Sequence, residues 1–226
     1  MIKAIFFDCY GTIISTGTRS VEAVKKILDS IGVSMDAGLF YTHWKNIHRD
    51  SISKQKEFKN EKEIFTDDLK ILYEHYNIKS NAENDIIYML NSLFDRSFFD
   101  DTLITINKLK DKYKIFVASN SDTEPLMQNI GNNINLFDGV FTSEDLMVYK
   151  PAKQFFEKML NLSGYKNDEI VYVGDSLIDD IYGAKNARIY AILIDRKNEY
   201  KENDIKPDAI INDLSGLEKV IEKNLT

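Results

Sequence analysis

Short apolar runs separated by helical patterns make up the second half of the chain, and one such run opens it. Residues 2–7 read Ile-Lys-Ala-Ile-Phe-Phe, which is typical of a strand buried on both faces of a parallel sheet. Similar runs predict further strands at residues 115–118, 140–141, 170–174, 189–194 and 209–211. Because helical patterns alternate with these strands, we expect an α/β fold with a Rossmann-like parallel sheet flanked by helices.

A long block without strand patterns interrupts this alternation after the first strand. Apolar residues recur there at helical spacing within residues 21–31, 39–47, 69–76 and 86–94. We therefore interpret residues 16–95 as an inserted helical-bundle domain, and residues 1–15 and 96–226 as the α/β core. The connections near residues 14–18 and 95–100 would then act as hinges.

Composition narrows the classes of protein that fit this pattern. The formal net charge is −7, which argues against binding nucleic acid through the overall field. No apolar run approaches the roughly 18 residues that span a bilayer, so we expect no membrane partner. A single cysteine, Cys9, fits a reducing compartment and a cytoplasmic protein. The sequence does not distinguish between a monomer and a homodimer.

The three histidines do not indicate a site. His43, His48 and His75 all fall within the helical block, at spacings that match no metal-binding or catalytic pattern. We therefore expect these side chains to lie at the surface or to take part in packing.

Small polar and charged residues follow the predicted strands at their carboxyl ends, where open α/β sheets bind their ligands. After the first strand stand Asp8, Tyr10, Gly11 and Thr12; later strand ends add Ser119, Asn120, Lys150, Asp175, Ser176, Asp179 and Asp180. Several carboxylates at one edge repel each other unless a cation neutralises them. Oxygen ligands point to Mg²⁺, and a carboxylate, a cation and a lysine together suit phosphoryl transfer.

Four segments, taken in order, resemble the sequence motifs of the haloacid dehalogenase superfamily. Residues 6–12 read Phe-Phe-Asp-Cys-Tyr-Gly-Thr and are similar to its first motif. Ser119-Asn120 resembles the second motif, Lys150-Pro151 the third, and Gly-Asp-Ser-Leu-Ile-Asp-Asp-Ile at residues 174–181 the fourth. The helical block also matches, in position and size, the α-helical cap that many members insert after the first motif.

The resemblance implies a nucleophile and a metal site. Asp8 would attack the substrate and form an aspartyl intermediate, as carboxylates do in such chemistry. The backbone carbonyl of Tyr10 and the carboxylate of Asp175 would join Asp8 around Mg²⁺. Lys150 would be catalytic by offsetting the negative charge of the nucleophile and the substrate.

The same resemblance implies the remaining site residues. Thr12, Ser119 and Asn120 would hydrogen-bond the transferred group, to which Lys150 would also bind, and Ser119 counts among the catalytic residues. Asp180 fits the second acidic position of the fourth motif, because the residues after it then fall in register. Asp179 is the competing choice for that position.

Tyr10 departs from the pattern of the superfamily's phosphatases, which carry a second Asp two residues after the nucleophile as a general acid and base. Tyr at this site resembles the haloacid dehalogenases, which need neither a metal nor that acid. The acidic fourth motif favours the opposite choice, because without a cation the neighbouring carboxylates would raise the pKa of Asp8 and keep it protonated and non-nucleophilic. We therefore expect a Mg²⁺-dependent hydrolase, a phosphatase of a small phosphorylated metabolite. The alternatives are a metal-independent 2-haloacid dehalogenase that uses Asp8 and a catalytically weak binding module.

Overall fold

The structure is a computed structural model that describes residues 1–202 and 204–225. Its strands are β1 Ala4–Phe7, β2 Ile14–Ser15, β3 Ser97–Phe98, β4 Lys114–Ser119, β5 Gly139–Thr142, β6 Ile170–Gly174, β7 Tyr190–Ile194 and β8 Ala209–Ile211. Its α-helices are α1 Arg19–Ser30, α2 Ala37–Ser53, α3 Glu61–His75, α4 Ala82–Asp85, α5 Ile87–Ser92, α6 Thr102–Leu109, α7 Thr123–Ile130, α8 Ser143–Leu146, α9 Lys153–Ser163, α10 Gly183–Asn186 and α11 Leu217–Leu225. Among these described helices, none combines the length and the apolar character needed to cross a membrane.

Six strands form one parallel sheet in the order β5-β4-β1-β6-β7-β8. The first strand lies inside this sheet, with Phe7 paired to Val117 on one side and to Val173 on the other. All four residues of β1 are buried, as expected of a strand that helices and neighbouring strands cover. The predicted α/β fold with a parallel sheet and flanking helices is therefore confirmed.

Aromatic side chains fill one layer between the sheet and its helices. Phe6 stacks on Phe116 with ring centroids 4.6 Å apart, and Phe156 of α9 meets Tyr172 of β6 edge to face at 5.3 Å. Removing these large apolar surfaces from water is the main driving force for packing α9 on the sheet. The glycine at position 183 belongs to the same layer, because a Cβ there would lie 2.5 Å from the Phe156 ring.

The described chain divides into two compact units. The core unit consists of Met1–Ser15, Ser97–Asn120 and Ile130–Thr226, and the helical unit of Thr16–Arg96 and Ser121–Asn129. Hydrogen bonds explain why residues 121–129 group with the helices. Asp122 accepts from the backbone amides of Glu61 and Lys62 at 2.7 and 3.1 Å. Asn129 donates to the carbonyl of Leu93 at 2.7 Å.

The helical unit has an apolar core of its own. Its buried cluster is Ala23, Val24, Ile27, Leu28, Phe40, Trp44, Leu69, Leu72, Tyr73, Ala82, Ile86 and Met89. Helix α3 begins with a capping box, in which the Asn60 side chain accepts from the Glu63 amide and the Glu63 carboxylate accepts from the Asn60 amide. Such reciprocal bonds satisfy amides that have no partner within the helix.

The segments predicted as connections carry a short ladder within the core unit. Strands β2 and β3 pair antiparallel, with Ile14 opposite Phe98 and Ser15 opposite Ser97. The Thr102 hydroxyl donates to the carbonyl oxygen of Ile13 at 2.9 Å, which ties the start of α6 to this ladder. Two residues per strand give no readable alternation, so the sequence did not predict these strands.

Candidate active site

The parallel register brings the nucleophile candidate to the edge that the strand pattern predicts. Asp8 follows β1, and its amide donates to the carbonyl oxygen of Val173 at 2.8 Å, which continues the pairing with β6 by one residue. Ser119 ends β4 next to it, paired with Thr142 of β5. Asp8 and Ser119 are both buried. The carboxyl ends of β4 and β1, which are neighbours in the sheet, thus place these two side chains in one region of the core unit.

Lys150 reaches this region from the loop after α8, and its ammonium is enclosed by oxygen atoms. Its Nζ donates to Asp8 Oδ1 at 2.7 Å and to Asp180 Oδ1 at 2.6 Å. The hydroxyl of Tyr172 lies 2.9 Å from Nζ, and the carbonyl oxygen of Ala118 lies 3.2 Å from it. Only 2% of the lysine side chain is exposed, so these four oxygens replace its hydration.

The electrostatic balance of this cluster favours a charged lysine. Burial alone would lower the pKa of Lys150, but the carboxylates of Asp180 and Asp8 outweigh it and raise that pKa well above the usual value. For Asp8, burial raises the pKa to about 6, with Lys150 opposing the shift and Asp180 adding to it. Lys150 therefore keeps its proton, and it holds Asp8 closer to its nucleophilic, ionised form than burial alone would.

A third carboxylate joins Asp8 and Asp180. Carboxylate oxygens of Asp8, Asp175 and Asp180 all lie within 4.8 Å of one another. Asp175 as a residue is exposed, but its carboxyl group packs on the Gly11 backbone, where a Cβ would lie 2.2 Å from Oδ2. Lost hydration, together with the charges of Asp8 and Asp180, raises the pKa of Asp175 well above its usual range.

The donor set fits a hard divalent cation. Lys150 supplies one positive charge to three carboxyl groups, so the cluster is short of positive charge whenever all three are ionised. Mg²⁺ prefers a small number of carboxylate oxygens and keeps several waters. The family resemblance assigned Asp8 and Asp175 to the metal. A magnesium ion between them would compensate for the hydration that burial removes, which is the main cause of their raised pKa values.

The two adjacent acidic residues of the fourth motif have different surroundings. Asp180 is 1% exposed and accepts from Lys150 through Oδ1 and from the Ser176 amide, at 2.9 Å, through Oδ2. Gly174 makes room for it, because a Cβ there would lie 2.2 Å from the Asp180 carboxyl carbon. The Asp179 carboxylate instead accepts from the Ser176 hydroxyl at 3.2 Å. Asp180 is thus the residue that lies beside Lys150.

The Asn120 side chain forms two hydrogen bonds with the backbone of Lys150. Its side-chain oxygen accepts from the Lys150 amide at 2.8 Å, and its Nδ2 donates to the Lys150 carbonyl at 3.1 Å. The sequence predicted a hydrogen bond from Asn120 to the transferred group, and the second N–H of the amide is the donor that this pairing leaves for it. Asn120 therefore fixes the main chain that carries Lys150.

Thr12 offers a hydroxyl in the loop that follows the nucleophile. The residue is fully buried, and its Oγ1 makes no hydrogen bond with any residue that the structure describes. A buried hydroxyl without a partner costs free energy. A bound group with acceptor oxygens would satisfy it, in keeping with the role predicted for Thr12.

Sequence reasoning missed Tyr172 as a functional residue. Its phenol donates to the Ala118 carbonyl oxygen at 2.7 Å and accepts from Lys150. Tyr172 lies within an apolar run that reads as an ordinary buried strand. The available signal was alternation: Tyr172 and Gly174 point to the same face of β6, because successive side chains alternate between faces.

Comparison with known proteins assigns the family. The model of the haloacid dehalogenase-like hydrolases matches residues 2–188. The glyceraldehyde 3-phosphate phosphatase of Methanocaldococcus jannaschii is 31% identical over 100% of this chain and 99% of its own. The enzyme of that name from Methanothermobacter thermautotrophicus is 27% identical, over 98% of this chain and 100% of its own. The chain therefore belongs to the haloacid dehalogenase-like hydrolases, and it is an enzyme.

A solved structure supports the fold without assigning the reaction. The L-2-haloacid dehalogenase of Xanthobacter autotrophicus aligns over 100% of both chains with a TM-score of 0.82 and 16% identity. At this identity the match shows the fold alone. Both the predicted family and the predicted fold are confirmed, and the full-length relatives named as phosphatases favour a phosphatase over a dehalogenase.

Proposed function

We propose that this protein is a Mg²⁺-dependent phosphatase that acts on a small phosphorylated metabolite through an aspartyl-phosphate. The observation that carries the proposal is the cluster of Asp8, Asp175 and Asp180, whose oxygens lie within 4.8 Å of one another around a single lysine. Three carboxylates leave an excess of negative charge, which a metal-independent reaction would not require. Mg²⁺, held by Asp8, Asp175 and the carbonyl of Tyr10, would neutralise charge on the phosphoryl oxygens.

In the first step, an oxygen of the Asp8 carboxylate attacks the phosphorus atom, and the bond to the ester oxygen breaks with its electron pair. Lys150 holds Asp8 in place through the 2.7 Å bond to Oδ1, which leaves the other carboxylate oxygen for the attack. Thr12, Ser119 and the second N–H of Asn120 are the donors proposed for the phosphoryl oxygens. In the second step, water attacks the same phosphorus and loses a proton to solvent, and the bond between phosphorus and the Asp8 oxygen breaks. Inorganic phosphate leaves, and the Asp8 carboxylate returns.

The position of Tyr10 restricts the leaving group. The leaving oxygen must gain a proton, and a positioned acid supplies about 10²–10⁴-fold in rate. Tyr10 offers no carboxyl group for this purpose, so we propose that the proton comes from solvent. A substrate with an acidic leaving group, such as p-nitrophenol, needs that proton least.

The relatives suggest which substrates to test first. Two proteins that match this chain over nearly its full length are named for glyceraldehyde 3-phosphate. We propose that the natural substrate is of the same class, a phosphate monoester of a small sugar. The proposal of magnesium and of this substrate class rests on the donor set and on these names.

Tyr10 supports one second candidate, a 2-haloacid dehalogenase. In that reaction Asp8 would attack the carbon that bears the halogen, the halide would leave with the bonding electrons, and water would hydrolyse the resulting ester. A halide needs no proton to leave, which suits a site without a second Asp. The candidate predicts activity that a chelator does not affect.

Hydrolysis of p-nitrophenyl phosphate by the full chain, with Mg²⁺ and then with excess EDTA, separates the two. We expect turnover that EDTA abolishes and Mg²⁺ restores, followed by turnover of glyceraldehyde 3-phosphate. Asp8→Asn should lower kcat by at least about 10⁴-fold, because it removes the nucleophile. Halide release from 2-chloropropionate in EDTA, with no phosphate release under any condition, would replace the phosphatase by the dehalogenase.

A further inference from the structure

Arg196 joins three separate segments of the core unit. It lies two residues beyond β7, and Asp101, which precedes α6, pairs with it through both carboxylate oxygens, each at 3.1 Å. Its Cζ lies 3.8 Å from the centre of the Phe99 ring. Its Nη2 and Nε donate to the carbonyl oxygen of Thr12 at 2.7 and 3.2 Å. One side chain thus connects the β7 end, the start of α6 and the loop after Asp8.

Several backbone hydrogen bonds close the loop of residues 8–12. Its internal bonds join the Gly11 amide to the Ile14 carbonyl at 2.8 Å and the Ile13 and Ile14 amides to the Cys9 carbonyl at 2.9 Å. These bonds close the turn, but they do not use the carbonyl of Thr12. That carbonyl is the acceptor for Arg196, so the guanidinium fixes the orientation of the peptide plane after Thr12.

The contacts of Arg196 require a guanidinium. The guanidinium places two N–H donors on the Thr12 carbonyl and two on the Asp101 carboxylate, and its flat face lies on the Phe99 ring. Only a planar group with several donors can make all of these contacts. Asp101 is itself fixed, because its Oδ2 also accepts from the Leu214 amide at 2.7 Å. The side chain of Arg196 is only 16% exposed, so water replaces these contacts poorly if they are lost.

We propose that Arg196 is a positioning residue, which acts through the Thr12 peptide to hold Asp8 and the Thr12 hydroxyl in the geometry of phosphoryl transfer. The inference rests on the proposed function. It assigns to Arg196 no contact with the substrate. Its effect should fall mainly on kcat, since a displacement of about 1 Å at a reacting group costs up to about 10²-fold in rate. KM should change much less, because the donors proposed at Ser119 and Asn120 do not depend on the Thr12 peptide.

The test compares Arg196→Lys and Arg196→Met with the control Lys112→Met. Lys112 also joins two segments of the core unit, by ion pairs with Glu218 and Glu222 at 2.5 and 3.0 Å. We expect Arg196→Lys, which keeps the charge but loses the fork, to lower kcat for p-nitrophenyl phosphate by about tenfold or more, with KM within about twofold. Hydrogen exchange of the amides of residues 11–14, measured without substrate, should speed up in both Arg196 variants and not in the control.

The exchange measurement keeps this inference separate from the proposed function. Unchanged exchange in Arg196→Lys would overturn the inference whatever the activity. Faster exchange with unchanged kcat would overturn the catalytic importance of the loop. A fall in kcat and melting temperature with unchanged loop exchange would assign Arg196 a general stabilising role, also against the inference. If the wild-type protein hydrolyses no phosphate ester, the proposed function fails, and exchange alone decides whether Arg196 orders the loop.

Discussion

Both units bury carboxylates, but they compensate them with different partners. In the core unit, Lys150 pairs with Asp8 and Asp180 through Nζ. In the helical unit, the fully buried Asp68 binds Nδ1 of His48 at 2.8 Å and the Ser51 hydroxyl at 2.5 Å. In the helical unit, His48 and Ser51 together form hydrogen bonds with one carboxylate. In the core unit, the single ammonium of Lys150 compensates more than one carboxylate.

This difference in charge compensation indicates which of the two clusters is a functional site. The partners of Asp68 match its two oxygens, so the helical cluster stabilises its own structure and needs nothing further. The core cluster places Asp175 in addition beside Asp8 and Asp180, which no single ammonium can balance. Surplus charge of this kind is costly for folding, and it is the feature by which a site attracts a cation.

Removing the lysine should show the largest contrast between the two regions. Lys150→Met leaves Asp8 and Asp180 buried without their counter-charge, which costs about 3–5 kcal/mol when one partner of a buried pair is removed. Turnover should also be lost. In the helical unit, Asp68→Asn removes a carboxylate that forms hydrogen bonds with His48 and Ser51, and it should cost only about 1–3 kcal/mol. Urea unfolding of both variants at pH 8 measures the difference.

The pH dependence of unfolding gives the control for this comparison. The deficit of Lys150→Met should shrink as the pH falls from 8 towards 6. Lys150 holds the pKa of Asp8 down to about 6, so in the variant Asp8 takes up a proton at a higher pH and the penalty of its buried charge disappears. A deficit that stays constant from pH 8 to pH 5 would mean that packing, and not charge, makes Lys150 important.

Asp180 and Asp179 allow a matched test within the core. Asp180→Asn removes one of the two carboxylates that orient Lys150, and we expect kcat to fall by about 10²-fold. Asp179→Asn changes the neighbouring residue, whose carboxylate accepts from Ser176, and kcat should stay within about threefold of wild type. Steady-state kinetics with p-nitrophenyl phosphate measures both. Equal losses in the two variants would contradict the assignment of Asp180 to the site.

The sequence predicts the core well because its chemistry follows strand ends. The apolar run at residues 2–7 and the acidic segment at residues 174–181 predict both the strands and the polar groups beyond them. Parallel register then makes these groups converge. The sequence could not show which of Asp179 and Asp180 faces Lys150, because both lie in one π-helical turn, Leu177–Tyr182, where adjacent side chains point in different directions.

Contacts made by distant segments could not be predicted in this way. His48 and Asp68 are 20 residues apart on different helices, and helical periodicity shows which face is apolar without showing which polar residues meet. Arg196 stands in a polar segment that gives no structural pattern. Tyr172 stands within an apolar strand, where nothing in the sequence distinguishes it from a core residue. Residues 121–129 group with the helices because of hydrogen bonds that no local sequence pattern indicates.

Glu61 provides a second test of how the helical unit compensates a buried carboxyl group. Burial raises its pKa from 4.5 to about 7, with His48 opposing the shift and Asp122 adding to it. Because the folded protein binds this proton more tightly than the unfolded chain, the contribution is fully present below pH 4.5 and is lost as the pH rises through 7. Glu61→Gln should therefore leave stability at pH 4.5 unchanged and raise it at pH 8 by about 1–3 kcal/mol.

Melting temperatures of wild type and Glu61→Gln between pH 4.5 and 8 test this expectation. The control is Glu57→Gln, because Glu57 is exposed and lies in the same unit. A stabilisation that is already present at pH 4.5, or that Glu57→Gln reproduces, would show that ionisation of Glu61 is not the cause.

Tyr172→Phe should give the smallest effect. Burial raises the pKa of this phenol well above its usual value, so the hydroxyl stays protonated and donates to Ala118. In the Phe variant, Lys150 loses one of four oxygen partners. The Ala118 carbonyl, which already accepts from Lys150 at 3.2 Å, no longer accepts from the phenol as well and can bind the ammonium more closely. We expect a stability loss of about 1 kcal/mol and a kcat reduced less than about tenfold with KM unchanged. A loss as large as that of Asp180→Asn would mean that the phenol, rather than the carboxylate pair, sets the position of Lys150.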